Sequence, residues 1–116
     1  MKQRYSKKSK YGSRKVTKDG IVFDSVRECN RWTELKLLER AGHISGIQRQ
    51  VKFQLLPSQK IDGKVVERPV FYVADFFYKD KDGNVVVEDT KGFKTKDYII
   101  KRKLMLHVHG IRIKEI

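Results

Sequence analysis

Hydrophobic positions along this chain change period several times, and each change marks an element. Val51, Phe53 and Leu55 alternate with polar neighbours in a run from Ile47 to Leu56 that ends at Pro57, the two-residue period of a half-buried strand. Val70 to Tyr78 is richer in aromatic and β-branched residues, and Val85 to Val87 follows an Asp82-Gly83-Asn84 turn. These two segments read as an antiparallel pair of central strands. The polar residues 58 to 69, with an Asp62-Gly63 turn and Pro69, form a loop or a hairpin extension. Val16 and Ile21 to Phe23 bracket a Lys18-Asp19-Gly20 turn and predict a hairpin, while Ile111 and Ile113 alternate with Arg112 and Lys114 in a final strand.

Two stretches carry a helical period. Ser25 is a good N-cap, Glu28 three residues later completes a capping box, and Gly42 after Ala41 is a good stop, which predicts a helix over 26–40. Val26, Cys29, Thr33 and Leu37 share what reads as its buried face, with Glu28, Trp32, Leu35 and Glu39 at the edge of that region. Residues 95 to 108 suit a second amphipathic helix ended by Gly110. Hairpin, helix, three strands, helix, strand is the order of an α/β domain, a central mixed β-sheet flanked by helices, spanning 16–116.

Charge changes the picture. Lys and Arg number 27 against 14 Asp and Glu, a net +13 on 116 residues, which points to a polyanionic partner that releases counterions when its phosphates are neutralised. A ribosomal-type protein or a membrane-surface binder would also be basic. Residues 1–15 read as a flexible basic arm, since Lys7, Lys8, Lys10, Arg14 and Lys15 stand among Ser, Gly and Tyr with only Met1 aliphatic. No run approaches the roughly 20 apolar residues of a membrane span, and no signal-peptide pattern follows the basic start, so a cytoplasmic protein is expected. The single Cys29 excludes an internal disulfide and reads as core packing.

Asp75 stands in the middle of an apolar strand, where a carboxylate costs several kcal/mol unless something pairs with it. The turn brings the end of the next strand back towards it, and that end carries Glu88, Asp89 and Lys91. Asp89 and Lys91, two apart, point to one face, and Glu88 to the other. Two carboxylates and an ammonium at one sheet edge suit phosphodiester hydrolysis: the acids hold Mg²⁺, with Mn²⁺ as a substitute, and the lysine neutralises the phosphorane or orients the attacking water.

These residues resemble the PD-(D/E)xK nuclease superfamily. Asp75-Phe76 matches its first acid, with Ala74 in place of proline, and Asp89-Thr90-Lys91 matches the second half of the signature. The likeness covers about residues 12 to 116 and is greatest to small phage proteins of that superfamily and to phage junction-resolving enzymes of the endonuclease I type. It implies a restriction-endonuclease-like core, a role for Glu28 as an additional helical carboxylate in the metal site, and cleavage of branched DNA such as Holliday junctions, in the host cytoplasm if the chain is phage-encoded. The departure at Ala74 only affects backbone shape, whereas Glu88 beside Asp89 leaves open which acid faces the metal, spacing favouring Asp89.

A capping box alone accounts for Glu28, and a structural ion pair for Asp75, Asp89 and Lys91. Gln50 could reach the scissile phosphate or simply face solvent. Lys94, Lys96, Lys101, Arg102 and Lys103 could form a solvated helix face, yet they directly follow the site, where a phosphate backbone would lie. His43, His107 and His109 have no ligand spacing. A homodimer is expected, because a junction needs two symmetric cuts and the hairpin near 16–23 offers an edge to a second chain. A nicking or end-processing nuclease and a non-catalytic nucleic-acid-binding protein are the alternatives.

Overall fold

The computed structural model describes residues 14–116. Lys7, Lys8 and Lys10 lie outside the described residues, and so does most of the expected arm. Arg14 and Lys15 are exposed, and Lys15 donates to Asp24 at 2.8 Å, which ties the end of the arm to the domain.

The expected elements form, with shifted ends. β1 (Val16–Lys18) and β2 (Ile21–Phe23) make the hairpin, and α1 (Val26–Arg40) follows. β3 runs from Ile44 to Leu56, three residues earlier than the alternation alone marked, because Gly46 at φ +68° allows a bulge and Glu39 accepts from the Ile47 amide. β4 (Gln59–Ile61) and β5 (Lys64–Glu67) form a hairpin extension. β6 (Val70–Asp80) and β7 (Val85–Asp89) are antiparallel.

The second helix, α2, spans Lys96–Leu104, and Met105–His109 continues it as a π-helical turn that Gly110 ends at φ +67°. The last strand, β8, is Lys114–Glu115 and not the Ile111–Ile113 alternation. It pairs parallel to β7, so the main sheet is mixed with order β3-β6-β7-β8.

The helices cover opposite faces of this sheet. Tyr98 of α2 and Met105 of the π turn pack with Leu55, Tyr72, Ala74, Val87 and Ile113, while Leu35 of α1 packs with Phe76, Tyr78 and the partly buried Trp32. The buried face of α1 is therefore the stripe of Glu28, Trp32 and Leu35, with Cys29 at its border. Val26 and Leu37 remain 52 % and 55 % exposed, which corrects the expected face. Both stripes carry apolar residues, and the one with Trp32 brings more area to Phe23 and Phe76, whose rings lie 6.3 and 6.2 Å from it.

An even strand would put Tyr72, Ala74, Phe76 and Tyr78 on one face. Here the first two join the α2 cluster and the last two the α1 cluster, so β6 changes faces between Ala74 and Phe76. Pairing with β3 skips this level: Arg49 pairs Phe76 and Val51 pairs Ala74, leaving Gln50 opposite Asp75, and Gln50 has φ +52°. The left-handed backbone of a side-chain-bearing residue in mid-strand is the local cost of that change.

Candidate active site

The face change delivers Asp75 to the place where β6 and β7 part. Their ladder ends at Phe76–Glu88, and continuing its register sets Asp75 opposite Asp89. There the Thr90 amide and hydroxyl both donate to Asp75 Oδ2, at 2.8 and 2.7 Å, and the Gln50 amide donates to Oδ1 at 3.3 Å. Thr90 occupies the variable position of the second half-motif, and no residue pattern singles it out.

Asp89 is only 1 % exposed. Its Oδ2 accepts from the Tyr72 hydroxyl at 2.5 Å, whereas Oδ1 accepts no hydrogen bond and has the Lys91 ammonium at 3.6 Å. Burial, then the charge of Asp75, push the Asp89 carboxyl up to about 7, against the pull of the Tyr72 hydrogen bond and Lys91. The Tyr72 phenol is in turn driven upward, first by burial and then by Asp89.

Glu88 is buried on the α1 face. Arg31 grips it from both sides, Nε to Oε1 at 2.8 Å and Nη2 to Oε2 at 2.7 Å, and the Tyr78 hydroxyl donates to it as well. That bidentate pair holds the Arg31 guanidinium protonated. With all these donors Glu88 is committed to holding α1 on the sheet, while Asp89 keeps an oxygen that accepts no hydrogen bond.

The two carboxylate oxygens of Glu28 face different partners, one the start of α1 and the other the sheet. Ser25 caps α1 by accepting from the Glu28 amide at 3.1 Å, and Glu28 Oε1 accepts from the Asp24 amide at 3.2 Å. Oε2 faces the sheet and accepts from Gln50 Nε2 at 3.0 Å and from Arg49 at 3.4 Å. Burial, then Asp75, raise the Glu28 carboxyl above the usual range. The Gln50 amide thus joins Glu28 to Asp75, a role that strand alternation did not suggest.

The basic residues after the site separate into two groups. Lys94 and Arg102 pair with Glu115 at 3.3 and 3.0 Å, so internal ion pairs occupy them, while Lys96 stands exposed and Lys101 half-buried on α2. Lys91 is 35 % exposed at the side chain, with its ammonium 5.0 Å from the Tyr98 ring centre. Arg27 at the start of α1 reaches the Lys91 carbonyl at 3.3 Å and steadies the loop that carries the lysine.

Among the described residues no three His, Cys, Asp or Glu side chains converge as a ready-made metal cage. Mg²⁺ typically keeps several waters and takes one or two carboxylates together with substrate phosphate oxygens. The buried Asp89 Oδ1, which accepts no hydrogen bond, together with Asp75 is an oxygen donor set of that kind, with Glu28 linked to it through Gln50, so these residues fit a hard divalent cation.

Residues 8–114 match the family model described as "Protein of unknown function (DUF1064)". No curated protein and no solved structure matches the chain. No helix among the described residues is long and apolar enough to cross a membrane.

Proposed function

The chain belongs to the DUF1064 family, and from its site we propose that it is a metal-dependent endodeoxyribonuclease of the PD-(D/E)xK type, acting on branched or otherwise structured DNA. The observation that carries this reading is a buried Asp89 oxygen with no hydrogen bond, facing Lys91 at the point where β6 and β7 part beside Asp75. A purely structural pair closed by hydrogen bonds, as Arg31 closes on Glu88, would satisfy that oxygen, and a non-catalytic binder gains nothing from carboxylates that repel phosphate. The mixed sheet with a helix on each face suits a restriction-endonuclease-like core.

Asp75 and Asp89, with Glu28, would hold Mg²⁺ or Mn²⁺. When bound, such an ion neutralises phosphate charge and lowers the pKa of a bound water. The remaining work falls to the chain. Thr90 and Gln50 fix the Asp75 carboxylate, Tyr72 fixes that of Asp89, and the Lys91 ammonium neutralises the charge that builds on phosphorus or orients the attacking water. A water oxygen forms the new bond to phosphorus, one P–O ester bond breaks, and a proton reaches the leaving oxygen. The products are one phosphomonoester end and one hydroxyl end.

The two helices pack on opposite faces of the sheet and form no helix-turn-helix, which suits recognition of backbone and shape better than base reading. A two-fold homodimer in the cytoplasm would match two such sites to the symmetry of a four-way junction. The test is a panel of four-way junction, supercoiled plasmid and linear duplex, each with Mg²⁺ and with EDTA. The proposal expects junction cleavage that EDTA abolishes. Plasmid nicking without junction preference would favour a nicking enzyme, and binding without cleavage in any metal would favour a non-catalytic binder.

A further inference from the structure

Beside the site, next to Tyr98, lies a cleft that the catalytic residues do not line. It has a volume of about 270 Å³ and is lined by Arg102, Lys103, Leu106, Arg112, Ile113 and Glu115. Since a water's share of the liquid is about 30 Å³, this is room for about nine waters, ample for a hydrated phosphodiester group. Its floor is apolar, with Ile113 only 5 % exposed.

Three cations and one carboxylate line the cleft. Glu115 accepts from Tyr98 at 2.7 Å and pairs with Lys94 and Arg102, which lowers its pKa, through the Tyr98 hydrogen bond first. Those contacts satisfy Glu115 and hold Arg102 at the cleft wall. Lys103 and Arg112, both exposed, have no carboxylate within ion-pair distance among the described residues. One ion-paired cation and two uncommitted ones around a concave surface form an anion site, not a solvated helix face.

Its placement identifies the anion. The Lys91 ammonium and the Arg102 guanidinium lie 5.0 and 6.0 Å from the same Tyr98 ring centre, and Asp89 and Glu115 are paired neighbours on β7 and β8. Lys91 and Arg102 are thus near each other, so a strand whose scissile phosphate sits at Lys91 can bring a neighbouring phosphate to the cleft. We propose that the cleft between α2 and β8 is a phosphate subsite that takes a backbone phosphate of the DNA strand near the scissile bond, with Arg102, Lys103 and Arg112 as its donors. The proposal rests on the nuclease reading for its ligand, and it adds that the strand is held to one side of the catalytic centre, the α2 side.

The experiment measures duplex and four-way-junction binding by fluorescence anisotropy in EDTA, across a salt series, for the full chain, Lys103→Gln/Arg112→Gln, each single variant, and Lys79→Gln on the distant end of β6 as the control for lost charge. Loss of one phosphate contact lowers the slope of log K against log salt by about 0.9 on duplex DNA. The expected result is a slope reduced by about that amount or more in the double variant, smaller reductions in the singles, and no comparable change in the Lys79 variant. An equal reduction in Lys79→Gln, or an unchanged slope in the double variant, overturns the subsite. Inorganic phosphate at matched ionic strength is the second arm: if it binds the wild type and not the double variant while DNA binding is the same in both, the cleft is a free-anion site and the proposal fails. Cleavage in Mg²⁺ is read on the same proteins. A wild type that cleaves while the double variant keeps its slope sinks the subsite alone, and a slope that falls in a protein that never cleaves sinks the nuclease reading alone.

Discussion

At most strand positions glycine is less stable than alanine, and at position 50 the order should reverse. Glycine in a strand ordinarily costs about 0.5–1 kcal/mol relative to alanine, through the backbone freedom it loses on folding. A residue with a Cβ in the left-handed region costs roughly 1–2 kcal/mol, and Gln50 sits there at φ +52°. Gln50→Gly should therefore exceed Gln50→Ala in stability by about 0.5–1 kcal/mol, a difference of about 3–5 °C in Tm for a domain of this size. Both variants lose the amide that joins Glu28 to Asp75, so the comparison isolates the backbone. Thermal melts in EDTA measure the first effect. Mg²⁺-dependent cleavage measures the second, and both variants should fall by about the same factor, roughly tenfold to a hundredfold, because misplacing a catalytic group by an ångström is enough for that loss. Alanine as stable as glycine would mean that the backbone at Gln50 is unstrained, and the face change of β6 would need another cause.

Three further outcomes follow from the buried acids. With its pKa raised from 3.8 to about 7, Asp89 contributes stability fully below about pH 4 and loses it as pH rises through 7, so Asp89→Asn should gain on the wild type between about pH 5 and 8 in EDTA. Urea melts at the two pH values check this, and Mg²⁺ should stabilise only the wild type at the higher one. Arg31→Met strands a carboxylate that is 0 % exposed and should cost about 3–5 kcal/mol, with Arg31→Met/Glu88→Leu recovering much of it in the same melts. Tyr72→Phe removes a hydrogen bond that lowers the Asp89 pKa, so the acid limb of a cleavage pH profile should move to higher pH; an unmoved limb would take Asp89 out of the rate-determining ionisation.

Much of the site was legible because its parts are local. Ser25 and Glu28 set the start of α1, the Asp82-Gly83-Asn84 turn set the pairing of β6 with β7, and side-chain alternation separated Asp89 from Glu88. What could not be read depends on contacts distant in sequence. The change of face at Asp75 needs Gln50 in a backbone conformation that its side chain disfavours, so neither the two-residue period nor composition signals it. The parallel pairing of β8 places Glu115 beside Asp89, which turns Lys94 and Arg102 from apparent free cations into ion-paired ones. The α1 face was misread for a related reason: two stripes of comparable hydrophobicity compete, and only the ring positions of Phe23 and Phe76 decide for Trp32.

The central claim, hydrolysis at Asp75, Asp89 and Lys91, is tested most directly by time courses on a four-way junction in Mg²⁺ at saturating protein. Wild type, Asp75→Asn, Asp89→Asn and Lys91→Ala are compared after their folding and DNA binding are verified. Each variant should bind the junction and lose cleavage by orders of magnitude. A folded Asp89→Asn that cleaves at the wild-type rate would contradict the account.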